Sequence, residues 1–398
     1  MNHPHSSFLS LLSESATIAM SRKSRELRKK GVDIINLSLG EPDFDTPDFI
    51  KEAANQGMVE NYTHYMAVNG YEDLRISIAE KFKRDNNLNY TSDQIVVSTG
   101  AKQTLANIIL ALIDEGDEVI LPAPYWVTYL EQIKMVKGLP VPILTTIEDE
   151  YKISPKQLEN AISEKTKLFI FNSPSNPSGA IYTKEEIIAL GEVLKKYPYV
   201  LILSDEIYEH IVYEEEHYSI GQIPELFDRV ITVNGVSKAF AMTGWRIGYM
   251  GAPEWIAKAC TKVQGQFTSG ANSIGQRAAK AAVEANPHVI EDMVKTFKHR
   301  RDLIVSELQK IEGLKTNLPG GAFYVYPDIS YFFGEKDNNT LINNASDLCE
   351  YLLEKAHVAT VPGDAFGTTK HIRLSYAASD EILIEAANRM QKALSILK

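Results

Sequence analysis

The chain has 398 residues, 44% of them hydrophobic and 23% charged, an ordinary globular composition with length enough for a large core. Its formal net charge of -11 disfavours nucleic acid, whose phosphates attract basic surfaces, and no uninterrupted apolar run is long enough to cross a bilayer. Two cysteines, Cys260 and Cys349, are too few for a disulfide framework or a cysteine zinc site.

The first twelve residues lack a basic leader and carry only a short apolar patch, a poor signal peptide, so a soluble cytoplasmic protein is expected. The basic block Arg22, Lys23, Arg25, Arg28, Lys29, Lys30 reads as the solvated face of an early helix. From about residue 70 to 285 strand-like and helix-like segments alternate. Leu74, Ile78, Ala79 and Phe82 recur at helical spacing behind Gly70-Tyr71-Glu72-Asp73. Ile95-Val96-Val97 is a short β-branched run ending in Ser98-Thr99-Gly100-Ala101, and an apolar helix is expected over Lys102 to Ile113. Glu118-Val119-Ile120-Leu121 is stopped by Pro122 and Pro124. Leu168-Phe169-Ile170-Phe171 is broken by Asn172-Ser173-Pro174-Ser175-Asn176-Pro177-Ser178-Gly179. A helix over Lys184 to Tyr197 leads to Val200-Leu201-Ile202-Leu203, and Val230-Ile231-Thr232-Val233 is the last clear strand before a weaker Ile247-Gly248-Tyr249-Met250.

Short continuous apolar strands alternating with helices predict an α/β fold, with a mainly parallel mixed sheet sandwiched by helices. Beyond residue 290 the texture changes. A long charged helix over Val289 to Ile311, a strand over Ala322 to Tyr326, a helix over Ala345 to Lys355, an apolar stretch at Val358 to Val361 and a strand over Ile372 to Tyr376 compose a smaller α+β unit. We therefore expect residues 46–290 to form a large domain, with residues 1–45 and 291–398 forming the small one.

Ligands bind such sheets beyond the carboxyl ends of the strands, and the unusual residues fall at those ends. Lys238, in Val236-Ser237-Lys238-Ala239-Phe240, follows a buried strand, and Arg246 lies a short loop away. An amine of this kind condenses with an aldehyde to a Schiff base, and an arginine can grip a phosphate with two parallel bonds. One cofactor meets both needs, pyridoxal 5′-phosphate (PLP). Asp205 ends the run from Val200, where a carboxylate can keep a pyridine nitrogen protonated. Tyr208, three residues on, can bond the ring oxygen; an Asp cap with a packed Tyr is the bland alternative. Gly100-Ala101-Lys102 sits at a strand-to-helix turn, an anion site by its free amides, although many α/β proteins place a glycine there. Asn176 is presented by a proline-fixed loop, or else is a simple Asx turn. Trp126 can stack on a flat ring or merely pack. Arg373 breaks an apolar stretch and asks for a carboxylate, from a ligand or from the protein itself. His210, Glu214, Glu215, Glu216 and His217 fit no metal-ligand spacing, so no metal is expected.

These segments, joined in order with Leu39-Gly40-Glu41-Pro42-Asp43-Phe44, Tyr62-Thr63-His64-Tyr65 and Ile372-Arg373-Leu374-Ser375, make the chain resemble class I/II PLP-dependent aminotransferases of fold type I, in the bacterial-type aspartate aminotransferase subgroup. The resemblance covers about residues 15 to 390. It implies Lys238 as the Schiff-base lysine, Asp205 as the pyridinium partner, and Tyr208 and Asn176 at the ring oxygen. It implies ring stacking by Trp126, a cofactor-binding place for Ser237, and phosphate contacts from Gly100, Ala101, Lys102 and Arg246. Arg373 would bind the substrate α-carboxylate, with Gly40, Trp126 and Asn176 beside it. The residue matching Tyr65 reaches the neighbouring subunit's phosphate, so a homodimer with active sites at its interface is implied. The expected reaction moves an amino group between an L-amino acid, aspartate first, and 2-oxoglutarate, with ping-pong kinetics. Some dual-specificity members, acting on aspartate and prephenate, carry a lysine two residues before the Ser-Ala-Thr segment; Ser13 stands there, which weakens prephenate and dicarboxylate specificity. A PLP-dependent β-elimination (carbon–sulfur) lyase is the alternative on the same fold. A non-catalytic DNA-binding regulator on the same fold would need an added module and a basic surface, and neither is expected here.

Overall fold

The computed structural model of the protein describes residues 6–338 and 340–398. Seven strands form the central sheet, in the spatial order Ile95–Ser98, Gly248–Gly251, Val230–Gly235, Leu201–Asp205, Thr166–Asn172, Glu118–Ala123, Leu139–Leu144. All run in one direction except Gly248–Gly251, which is antiparallel to both neighbours. The sheet is therefore mainly parallel and mixed, as the alternating pattern predicts.

Alternation along each strand builds two apolar layers. Leu168, Ile170, Leu203 and Val233 point to one face, where Leu105 and Ile108 of helix Ala101–Leu112 and Ile256 and Cys260 of helix Glu254–Phe267 cover them. Phe169, Phe171 and Ile202 point to the other, under Ile187, Leu190 and Leu194 of helix Lys184–Lys195. Burial on both faces explains why these strands read as continuous apolar runs. The strand Leu139–Leu144 escapes a reading of that kind, because Pro140 and Pro142 interrupt it. It lies at the sheet edge, where the odd-numbered residues meet the neighbouring strand and both prolines turn their missing N–H to the free side.

Three short antiparallel strands, Val361–Pro362, Ile372–Ser375 and Tyr324–Val325, form a second sheet. The strand expected over Ala322 to Tyr326 keeps only its centre, since Ala322 has a φ of 56. The charged helix spans Glu291–Leu308, shorter than expected because Pro287–Ile290 is a separate 3-10 turn. The helix expected over Ala345 to Lys355 is α-helical over Ala345–Tyr351 and continues as a π-turn, Leu352–Ala356. Ile35–Asn36 pairs in parallel with Val358–Ala359. The early basic block lies on helix Ala16–Lys29 with Arg22, Lys23, Arg25, Arg28 and Lys29 exposed, a solvated face. Among the described residues no helix is long and apolar enough to cross a membrane.

Candidate active site

The carboxyl ends of the six strands that run one way and the start of the one antiparallel strand share an edge of the sheet. Reversal of Gly248–Gly251 is what brings Arg246 to that edge, since the residues just before an antiparallel strand lie where those just after a parallel one do. A cleft of about 310 Å³ opens there, lined by Gly40, Ala101, Lys102, Trp126, Asn176, Asp205, Tyr208, Ser237, Lys238, Arg246 and Arg373 among others. The sequence-predicted residues thus come together, with two exceptions of position. Gly100 lies just behind the lining, and Tyr65 stands outside it, 99% exposed.

The anion cradle depends on two close approaches. A Cβ on Gly100 would lie 2.3 Å from Arg246 Nη2, and Gly100 has a φ of +80, so only glycine suits both. A Cβ on Gly248 would lie 2.1 Å from the Ala101 amide nitrogen, so glycine there lets the helix N-terminus abut the sheet. The first amides of helix Ala101–Leu112 precede any residue able to close an intrahelical bond, which leaves them for an anion. Arg246 is itself left-handed (φ 59), a costly conformation for a side-chain residue, with its guanidinium donating to Thr243 O at 2.8 Å.

Lys238 is partly buried, beside the rings of Tyr208 and Phe323, and donates to Gly40 O at 2.6 Å. Burial, then the Arg373 charge, pull its amine down to about 8, where a useful fraction is neutral. Asp205, 3% exposed, is pushed up to about 6 by burial, against the pull of its hydrogen bonds from Tyr129 and the Ile207 amide. The Asn172 side chain ties the site together: its Nδ2 donates to Asp205 O at 2.8 Å and its Oδ1 accepts from the Asn176 amide at 2.9 Å.

Arg373 is fully buried, with its guanidinium between Tyr324 and Phe366, 4.5 and 5.0 Å from the ring centroids. Its Nη1 donates to Asn176 Oδ1 at 2.9 Å and its Nη2 to Ser38 O at 2.6 Å, but no carboxylate of the protein pairs with it among the described residues. Its Nε is buried without a partner. A buried cation with a spare donor, lining a cleft and lacking an internal salt bridge, can accept an incoming carboxylate.

Sequence reasoning missed Tyr129, Tyr324 and Asn172. Tyr129 follows Trp126 by three positions at a helix start, a spacing that puts both on one face. Tyr324 bonds the Tyr208 hydroxyl at 2.8 Å, and a Cβ on Gly40 would lie 2.1 Å from its own hydroxyl. Nothing in the local sequence separates it from Phe323 and Tyr326. His217 and Glu206, 3.0 Å apart, belong to a buried polar network in which the Lys81 ammonium sits against Glu209.

A partly buried lysine, a buried carboxylate, a helix-terminal anion cradle and an unpaired arginine around one cleft suit an aldehyde-bearing phosphorylated pyridine. That sheet and edge site are those of PLP-dependent transferases of fold type I. The model of the family "Aminotransferase class I and II" matches residues 32–390. An aspartate/prephenate aminotransferase of Nitrosomonas europaea is 46% identical over 385 residues, covering 96% of this chain and 97% of its own. A bifunctional aspartate aminotransferase and glutamate/aspartate-prephenate aminotransferase of Petunia hybrida is 46% identical, covering 96% and 81%. Among solved structures, aspartate aminotransferase from Rhizobium meliloti matches with a TM-score of 0.96 at 41% identity over 100% of both chains. The Thermus thermophilus enzyme with maleate matches at 0.91 and 40%, covering 98% of this chain and 100% of that one. The chain belongs to the class I and II aminotransferase family and is a PLP-dependent aminotransferase.

Proposed function

We propose that the enzyme moves the amino group of L-aspartate to 2-oxoglutarate, with Lys238 as the covalent anchor and proton carrier. When bound, PLP supplies an electron sink for the negative charge that develops at the substrate Cα. The free backbone amides of Ala101 and Lys102 and the Arg246 guanidinium would hold its phosphate beside Gly100, and Asp205 would keep the ring nitrogen protonated. Trp126 packs on the ring; Tyr208 and Asn176 serve its oxygen; Ser237 lies beside the anchor lysine. Arg373 holds the α-carboxylate next to Gly40, fixing which Cα hydrogen faces Lys238. The Lys238 amine, lowered to about 8, would take the Cα proton as general base and, as general acid, deliver it two atoms away to the cofactor's C4′ carbon. The donor's keto acid leaves before the acceptor enters, so the kinetics are ping-pong.

A second free cation carries the dicarboxylate reading. Lys102 Nζ lies 5.0 Å from the centroid of Trp126, makes no ion pair among the described residues, and is held below its usual range by burial and by Arg246. Both it and Arg373 line the cleft, and two cations suit a substrate with two carboxylates. The Thermus thermophilus structure holds maleate, also a dicarboxylate. Ser13 offers no charge at the position where a lysine is found in dual-specificity members, but its amide donates to Glu131 at 2.8 Å, and the neighbouring Ser15 and Thr17 line the cleft.

We infer a homodimer with its active sites at the interface. Fully exposed Tyr65, with Val59, Met58 and Phe267 also exposed, supports an apolar surface covered by a second copy. Both cysteines are free and buried, in keeping with a reducing compartment, and we place the enzyme in the cytoplasm. We divide the chain into a cofactor domain, 46–290, and a small domain from 1–45 and 291–398; residues 1–5 lie outside the described residues. Pairing of Ile35–Asn36 with Val358–Ala359 supports joining the two ends of the chain.

One donor panel tests the specificity. Wild-type protein should consume aspartate and glutamate with equimolar keto acid release, and Lys102→Ser should lose about tenfold or more in kcat/KM for these while sparing alanine. Pyruvate and ammonia released catalytically from a β-substituted donor, with no 2-oxoglutarate consumed, would overturn transfer in favour of elimination. Equal losses for alanine and aspartate would remove Lys102 from the side-chain site.

A further inference from the structure

We propose that Tyr129 is a positioning residue that keeps the Asp205 carboxylate charged and fixed at the floor of the cleft. This rests on the reading of Asp205 as the partner of the cofactor's ring nitrogen. Tyr129 lies on helix Val127–Met135, far from Asp205 in sequence, yet its hydroxyl donates to Asp205 Oδ2 at 2.7 Å. The Ile207 amide approaches the other oxygen at the longer distance of 3.3 Å. Tyr129 and Asp205 are 2% and 3% exposed, so water does not substitute for either bond.

Asp205 forms no ion pair with any lysine, arginine or histidine among the described residues. Of the titratable groups facing it, Lys238 arrives from the loop after strand Val230–Gly235, Glu206 is its own neighbour, Tyr208 lies in the turn after its own strand, and Tyr129 comes from helix Val127–Met135. Glu206 repels it, and Glu206 is itself engaged by His217 and by the Ser204 and Ser219 hydroxyls. A buried carboxylate without a cation takes up a proton unless donors favour its charged form. A protonated Asp205 would be useless for holding a proton on a pyridine nitrogen. Burial and the Asp205 charge hold the Tyr129 hydroxyl well above its usual range, so it stays a donor across the working pH. Its ring is fixed edge-on to Trp126, with centroids 5.5 Å apart at 82°, so one helix face supplies both the ring-stacking indole and the carboxylate's donor.

Tyr129→Phe in the holoenzyme removes the donor and keeps the ring packing. Two readouts follow: the acidic limb of the kcat/KM–pH profile, and the PLP dissociation constant by equilibrium dialysis at pH 6.5 and 8.5. The acidic limb should move up by about one pH unit or more. Cofactor affinity should fall several-fold more at pH 6.5 than at pH 8.5, while a melting curve at neutral pH changes little. An unmoved limb, or an affinity loss equal at both pH values, overturns the proposal, because a purely packing role does not depend on proton concentration. Asp205→Asn is the parallel control. Turnover retained in that variant overturns the reading of Asp205 itself. Turnover lost in Asp205→Asn, with a wild-type profile in Tyr129→Phe, overturns the role of Tyr129 alone.

Discussion

Arg373→Lys isolates geometry from charge in the carboxylate site. Arginine already spends one N–H of Nη1 on Asn176 and one of Nη2 on Ser38, which leaves its buried, unpartnered Nε and the remaining N–H groups for a substrate. A planar fork can give a carboxylate two parallel bonds, whereas one ammonium gives one. Each bond to a charged group is worth about 1.5–3 kcal/mol. Loss of one such bond therefore lowers kcat/KM by about 10- to 150-fold. The stacking of the guanidinium between Tyr324 and Phe366 is lost too, which places the result toward the upper end. Single-turnover half-reactions with aspartate, glutamate, alanine and phenylalanine measure the effect directly, since only the first substrate is present. The α-carboxylate is common to all four, so all four should fall by one common factor. If alanine and phenylalanine are spared while aspartate and glutamate fall, Arg373 reads the side chain, and the orientation of substrate in the cleft is reversed.

Two further consequences reach the cradle and the acid stability of the fold. Gly100→Ala drives a methyl group into the Arg246 guanidinium at a positive φ, so PLP dissociation by equilibrium dialysis at fixed salt should weaken by about tenfold or more; an unchanged constant removes Gly100 and Arg246 from the phosphate site. His371 is buried against Tyr326, with ring centroids 5.0 Å apart, and neither ring nitrogen has a hydrogen-bond partner. Burial, offset in part by Asp328, lowers it to about 4. Its neutral form is native, so the unfolded chain binds the proton first. The stability it contributes is whole above about pH 6.5 and is lost as pH falls toward 4, by up to about 3 kcal/mol. His371→Phe should therefore lose less melting temperature than wild type between pH 7 and pH 4.5; equal losses would show that His371 is not an acid-labile element.

Residues that act through backbone position were legible, and residues that act through tertiary contact were not. Lys238, Asp205, Asn176 and Gly100 each follow a buried apolar run, and a parallel sheet sends the ends of its parallel strands to one edge. Their meeting therefore follows from the alternation of segments, without any knowledge of distances. Arg246 is a partial case: it precedes its strand, so its arrival at the same edge required Gly248–Gly251 to run backwards, which the sequence does not announce. Tyr129 and Tyr324 fail the test altogether. Tyr129 reaches Asp205 across 76 positions and Tyr324 reaches Tyr208 across 116, and neither has a local pattern that distinguishes a buried donor from a buried ring.

The chemistry of the site is divided in the same way. Groups at strand ends would touch the cofactor directly, and groups from elsewhere set the protonation and orientation of those that do. Gly40 shows how tightly the second set is held. Its carbonyl accepts from Lys238, while its missing side chain is the space that the Tyr324 hydroxyl occupies on the way to Tyr208. Any side chain at residue 40 must displace Tyr324, and with it the aromatic wall against which Arg373 stacks. A single glycine near the start of the chain thus links the lysine at a strand end of the large sheet to the arginine in the small one. That link gives a physical reason why the ends of the chain must close on the middle before the cleft is complete.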